Sequence, residues 1–96
     1  MKQLTKEQAL AFAENKLYEY LTKRQIAEFQ LEQDRLCMPF DVFHEAIEKT
    51  LNRPVFTHEF GVSRERLYNE VFGSRKRPEL QDILKSIPQD KLCLLV

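Results

Sequence analysis

Apolar positions recur at spacings of three and four along most of the chain, and each run opens on a helix-start signal. Thr5 with Gln8 three residues on reads as a capping box, and Leu10, Ala13, Leu17 and Leu21 then share one helical face, so a first helix is expected over Thr5 to Leu21. Thr22 with Gln25 repeats the start signal. Ile26, Phe29, Gln33, Leu36 and Cys37 continue a second helix that Pro39 closes. Asp41 is the expected N-cap of a third helix, with a stripe of Phe43, Ala46, Ile47 and Leu51 ending near Asn52. Arg53-Pro54 breaks the pattern, and Val55 to Gly61 fits either a short helix or an extended loop. Ser63 caps a fourth helix that buries Leu67, Val71 and one of Tyr68 or Phe72, with Gly73 at its end. Pro78 suits the first position of a fifth helix carrying Leu80, Ile83, Leu84 and Ile87, which Pro88 ends. The tail Leu92 to Val96 fits a short strand or a docked peptide. The expected fold is all-α: one domain over residues 1–96, a compact bundle of about five short helices, with at most one short strand near Val55 or in the tail. Leu36, Phe40, Phe43 and Ile47 flank Pro39 and are expected to be buried together.

Composition narrows the class. With 96 residues, 43% of them apolar, 31% charged and no net charge, the chain suits one small domain and not a disordered segment. Cys37 and Cys93 do not make a disulfide framework, and point weakly to a reducing compartment. No run approaches the roughly 18 apolar residues of a membrane span, and the polar N-terminus is not a signal peptide, so a cytoplasmic protein without a membrane partner is expected.

Catalytic chemistry finds little support. Cys37, His44, His58 and Cys93 lack the close pairing that tetrahedral zinc needs, and position 48, where a metalloprotease motif starting at His44-Glu45 needs a second histidine, is Glu48. Ser63 and Ser74 lie outside any nucleophile elbow, and two glycines cannot build a phosphate-cradling loop. No enzyme activity, catalytic residue, metal or cofactor is expected.

The segment Phe60-Gly61-Val62-Ser63-Arg64-Glu65-Arg66-Leu67-Tyr68, followed by Phe72-Gly73-Ser74-Arg75-Lys76, resembles the turn and recognition helix of tetracycline-repressor-type regulators. The resemblance implies nucleic-acid contacts from Ser63, Arg64, Arg66, Arg75 and Lys76. Residues 62–77 hold five basic side chains against two acidic ones. A serine-capped amphipathic helix accounts for the same residues, and a neutral chain lacks the basic face of most DNA binders. The ending Cys93-Leu94-Leu95-Val96 has the outline of a prenylation signal without a polybasic stretch before it. The simpler reading is an apolar tail that packs on the bundle or on a second copy, which gives the expectation of a homodimer.

A wider likeness rests on Leu4-Thr5-Lys6-Glu7-Gln8-Ala9, on Phe29 through Glu48 with its Cys37-Met38-Pro39-Phe40-Asp41-Val42-Phe43-His44 centre, and on Arg53 through Phe60. Over residues 4–61 the chain resembles a family of small bacteriophage and prophage proteins. The resemblance implies a bacterial cytoplasm and an accessory role without a cofactor. In that block Phe40, Phe43, Phe56 and Phe60 crowd together among charged groups, which form either an ion-pair network or a binding surface. Arg35, His44, His58 and Glu59 are the candidate partner-binding residues. The expected function is a non-enzymatic accessory protein that binds a bacterial or phage macromolecule, in its concrete form inhibiting a host defence or nucleic-acid-processing complex. The alternatives are a small helix-turn-helix DNA-binding regulator and a structural or assembly protein.

Overall fold

Two capping boxes start the chain as the sequence predicts. In the computed structural model, which describes residues 1–95, the Thr5 hydroxyl accepts the Gln8 N–H at 3.1 Å and the Gln8 side chain accepts the Thr5 N–H at 2.9 Å. Helix α1 runs over Lys6–Glu14. It does not reach Leu21. Lys16 turns left-handed at φ 50°, the Asn15 side chain donates to the Ala11 carbonyl, and a tighter 3-10 turn follows over Leu17–Tyr20. The kink changes the buried face. Ala9 and Phe12 point inward, whereas Leu10 is 52% exposed; Leu17 and Leu21 reach the core from the turn and its end rather than from one continuous helix.

Thr22 and Gln25 repeat the box for α2, Lys23–Glu32. This helix stops seven residues short of Pro39, because buried Gln30 holds the chain after it in an irregular path and buried Gln33 ties its end to the N-terminal segment. The Gln30 side chain accepts the Cys37 N–H at 2.8 Å and donates to the Arg35 carbonyl at 2.8 Å. Gln33 accepts the Leu4 N–H and donates to the Lys2 carbonyl, both at 2.9 Å. These backbone groups find side-chain partners, which satisfies them without helical continuation.

Helix α3, Phe40–Leu51, is capped by Pro39; Asp41, the expected cap, lies inside the first turn, where its charge favours the helix dipole. Asn52 ends it at φ 55°. After an irregular segment come α4, Glu59–Val62, and α5, Arg64–Phe72, with Gly73 at φ 57°. Pro78 stands outside α6, Leu80–Leu84, whose start is Glu79, with the Asp82 carboxylate accepting the Glu79 N–H at 3.0 Å. Pro88 precedes α7, Gln89–Leu92, and a 3-10 turn over Cys93–Leu95.

The fold is therefore all-α, with seven α-helices rather than five and no strand among the described residues. Neither the Val55 region nor the described part of the tail is extended into a strand; Val96 lies outside the described residues. One core cluster runs from Leu4 to Leu95, with Phe12 and Phe29 stacked at 5.0 Å in it. The most extensive helix pairing joins α2 and α3. The radius of gyration, 12.9 Å, is that of a compact chain of this length. The tail docks on its own chain: Leu95 is buried and its carbonyl accepts the Gln8 side chain at 3.1 Å.

Candidate interaction groove

The corner between α3 and α5 is built by polar side chains that grip backbone. The Glu48 carboxylate accepts the Val55 N–H at 2.8 Å, and His44 Nε2 bonds to the Val55 carbonyl. Both polar groups of one extended residue are thus held by two side chains one turn apart on α3. Arg53 then ties the corner together. It donates to Glu70 at 2.8 and 3.0 Å, to Glu59 at 2.9 Å and to the Pro54 carbonyl at 2.9 Å. Glu59 also accepts the Phe56 N–H at 2.9 Å. The Arg53 hydrogen bond, then that backbone N–H, hold the Glu59 carboxyl down at about 2, and the two glutamates raise Arg53 above its ordinary value.

This frame sets Phe60 of α4 against α3. The Phe60 ring lies 5.1 Å from Phe40, 5.2 Å from Phe43 and 5.4 Å from the His44 ring, in edge and tilted arrangements favoured by aromatic quadrupoles. Phe43 is buried, but Phe40 is 38% and Leu36 54% exposed, which corrects their expected burial beside Ile47. The irregular path after α2 carries Leu36 outward, and Phe40 in the first turn of α3 meets the rings of Phe43, His44 and Phe60 at the edge of the core. The result is an open groove of about 130 Å³ between these rings, with Asp34 and Arg64 on its lining. Gln30 and Gln33 also reach it, but their amides are already bonded to backbone.

The expected partner-binding residues do not form a single centre. His44 belongs to the ring cluster. Glu59 is held by Arg53. His58 is exposed and stacks near-parallel on Phe56 at 5.9 Å, and Arg35 is exposed beside Leu36. Arg53, which ties the corner, and Gln30 and Gln33, which hold the ends of neighbouring segments, carry no local sequence signal, since their partners lie up to 31 residues away.

The residues expected to touch nucleic acid lie just before, on and after α5, and two of them reach back to α2 or α5. Arg75 donates to Glu28 at 2.6 Å and to the Val71 carbonyl at 3.1 Å. Arg64 donates to the Leu31 carbonyl at 3.2 Å. Arg77 stacks over Tyr68 at 4.4 Å and pairs with Glu32 at 3.7 Å. Burial and the neighbouring Glu32 push the Tyr68 hydroxyl up to about 12. Glu28 and Glu32, one turn apart on α2, thus pair with Arg75 and Arg77 of this segment. Arg66 and Lys76 are exposed with no side-chain partner among the described residues, and Ser63 precedes α5 without capping it through its side chain. The geometry departs from a repressor turn in two respects. Gly61 sits inside the four-residue α4, and Ser63 alone separates α4 from α5.

Among the described residues no three His, Cys, Asp or Glu side chains are grouped to hold a metal ion. No helix among them is long and apolar enough to cross a membrane. Cys37 is buried, and burial raises its thiol to about 11, whereas Cys93 is exposed.

These features define a small all-α protein with an aromatic groove framed by α3, α4 and α5. The model of a family described as a domain of unknown function, DUF7736, matches residues 23–71, half of the chain, and the chain belongs to that family. The matched stretch holds every residue that lines the groove. No curated protein and no solved structure matches the chain.

Proposed function

We propose that this chain is a non-enzymatic interaction protein that docks a protein partner in the groove between α3 and α4. The observation that carries this reading is the exposure of Leu36 and Phe40 beside the partly buried Phe60, on a frame held by side-chain hydrogen bonds. Apolar side chains left half in water, on a backbone gripped by Glu48, His44 and Arg53, are preorganised for association. The groove lies within the family segment, and all of its lining but Arg64 lies in the stretch that resembles phage proteins. That overlap supports a bacterial or phage macromolecule as the partner, with inhibition of a host complex as the concrete form. Ion pairing of Arg75 with Glu28 and of Arg77 with Glu32 lowers the basic charge that segment can offer a nucleic acid, and the chain as a whole is neutral. A homodimer through the tail would require Leu95 to leave its site on α1.

Capture from a nuclease-treated bacterial lysate across a salt series tests the reading. A partner held by an apolar groove stays bound from about 50 to 500 mM salt. Binding that disappears with nuclease, or that falls by orders of magnitude over that range, makes the protein a nucleic-acid binder instead.

A further inference from the structure

We propose that Gln3 is the releasable half of a two-glutamine clasp, and that this clasp sets the groove wall at Asp34 to Leu36 from the N-terminal segment. The clasp goes beyond the docking reading above, and only its effect on a bound partner rests on that reading. Helix α2 ends at Glu32, so its last carbonyls look outside the helix for donors. Gln3 Nε2 donates to the Glu32 carbonyl at 2.6 Å, and Gln3 Oε1 accepts the Asp34 N–H at 2.7 Å. Gln33 answers in the same way, accepting the Leu4 N–H and donating to the Lys2 carbonyl, both at 2.9 Å. Each side chain thus bonds the residues on either side of the other, and four hydrogen bonds join segments 29 to 31 residues apart.

The two halves differ in what can replace them. Gln33 is 2% exposed, so its amide and the buried Leu4 N–H have no water to turn to and stay paired. Gln3 is exposed, so water takes over its bonds when it swings away, and the clasp opens there first. What Gln3 lets go is part of the groove. Asp34, Arg35 and Leu36 are exposed and make no backbone–backbone hydrogen bond among the described residues. Asp34 and Leu36 line the groove. Gln3 fixes this arch at the Asp34 N–H, and Gln30 fixes it at the Arg35 carbonyl and the Cys37 N–H. Gln30 is 4% exposed, so of these two grips Gln3 is the one open to solvent. Residue 3 lies outside the matched stretch 23–71, so a segment beyond the family model orders a wall within it.

The test is amide hydrogen exchange by NMR on the full chain, native and Gln3→Met, a substitution that keeps the side-chain length and removes both bonds. The Asp34 amide should exchange about two- to tenfold faster in Gln3→Met, and the Leu36 methyl resonances should shift. The amides of Ile47 in α3 and Val71 in α5 should keep their native rates. An Asp34 rate and Leu36 shifts that match the native chain overturn the proposal. Equal acceleration at Asp34, Ile47 and Val71 overturns it too, since Gln3 would then stabilise the whole fold and not one wall. In the salt-series capture, Gln3→Met should retain severalfold less partner than the native chain. Faster Asp34 exchange with unchanged retention would leave the clasp standing and count against the groove as the docking face. A native Asp34 rate sinks the clasp whatever the retention.

Discussion

Single side chains decide more here than their sequence neighbours suggest. Phe43 meets Phe40 and Phe60 and is 3% exposed. Phe43→Ala should lower stability by about 3–5 kcal/mol, read as an early thermal or urea midpoint. An unchanged midpoint would place Phe43 at the surface. Glu59 gives a signed pH prediction. Its folded-state value, about 2, lies below the ordinary carboxylate value of 4.5. Its contribution is therefore complete above about 4.5 and is lost as pH falls through about 2. Urea midpoints at pH 5 and pH 2.5 should differ more for the native chain than for Glu59→Gln, and equal differences would mean that Arg53 does not hold Glu59. The sequence placed charged groups among the phenylalanines but could not assign partners. Glu59 bonds Arg53 six residues away and Glu70 reaches the same guanidinium from seventeen, so the clamp exists only once α5 has packed.

At the scale of elements, the first two caps were legible, and the later caps and the register were not. The boxes at Thr5 and Thr22 are local hydrogen bonds, so four residues sufficed to read them. Leu10, Ala13, Leu17 and Leu21 kept helical spacing, yet the left-handed Lys16 splits them and turns Leu10 to solvent. The groove was hidden for a related reason: Leu36 leaves the core because Gln30 captures the Arg35 carbonyl and the Cys37 N–H that a longer α2 would have used. The two glycines separate conformation from packing. Neither has an atom within 4 Å of an added Cβ, but Gly73 holds φ +57° and Gly61 lies in α4. Gly73→Ala should destabilise by about 1 kcal/mol, and Gly61→Ala should be neutral or stabilise by about 0.4–1 kcal/mol. Denaturation of both variants side by side checks this, and equal effects would contradict the assignment of strain to residue 73.

Across the whole molecule, the two ends close on each other. Leu95 is buried and bonds Gln8 of α1, which joins the last turn to the first helix. A chain ending at Lys91 should lose several degrees of melting temperature, since a buried leucine contributes about 1.5–3 kcal/mol. A full-length melting temperature in the shortened chain would mean that the tail leaves α1 in solution. The all-α class and a bundle of short helices were readable from spacing alone. The partner was not, because a docking groove consists of side chains from residues 30 to 64 that no local pattern brings together. Its central claim, that the Leu36–Phe40–Phe60 surface holds a protein partner, is tested most directly by Leu36→Glu. Leu36 is more than half exposed in an irregular segment, so the substitution leaves the fold intact and sets a carboxylate at the mouth of the groove. The protein retained at high salt by the native chain should be lost from Leu36→Glu at unchanged melting temperature. Equal retention by both would contradict the account.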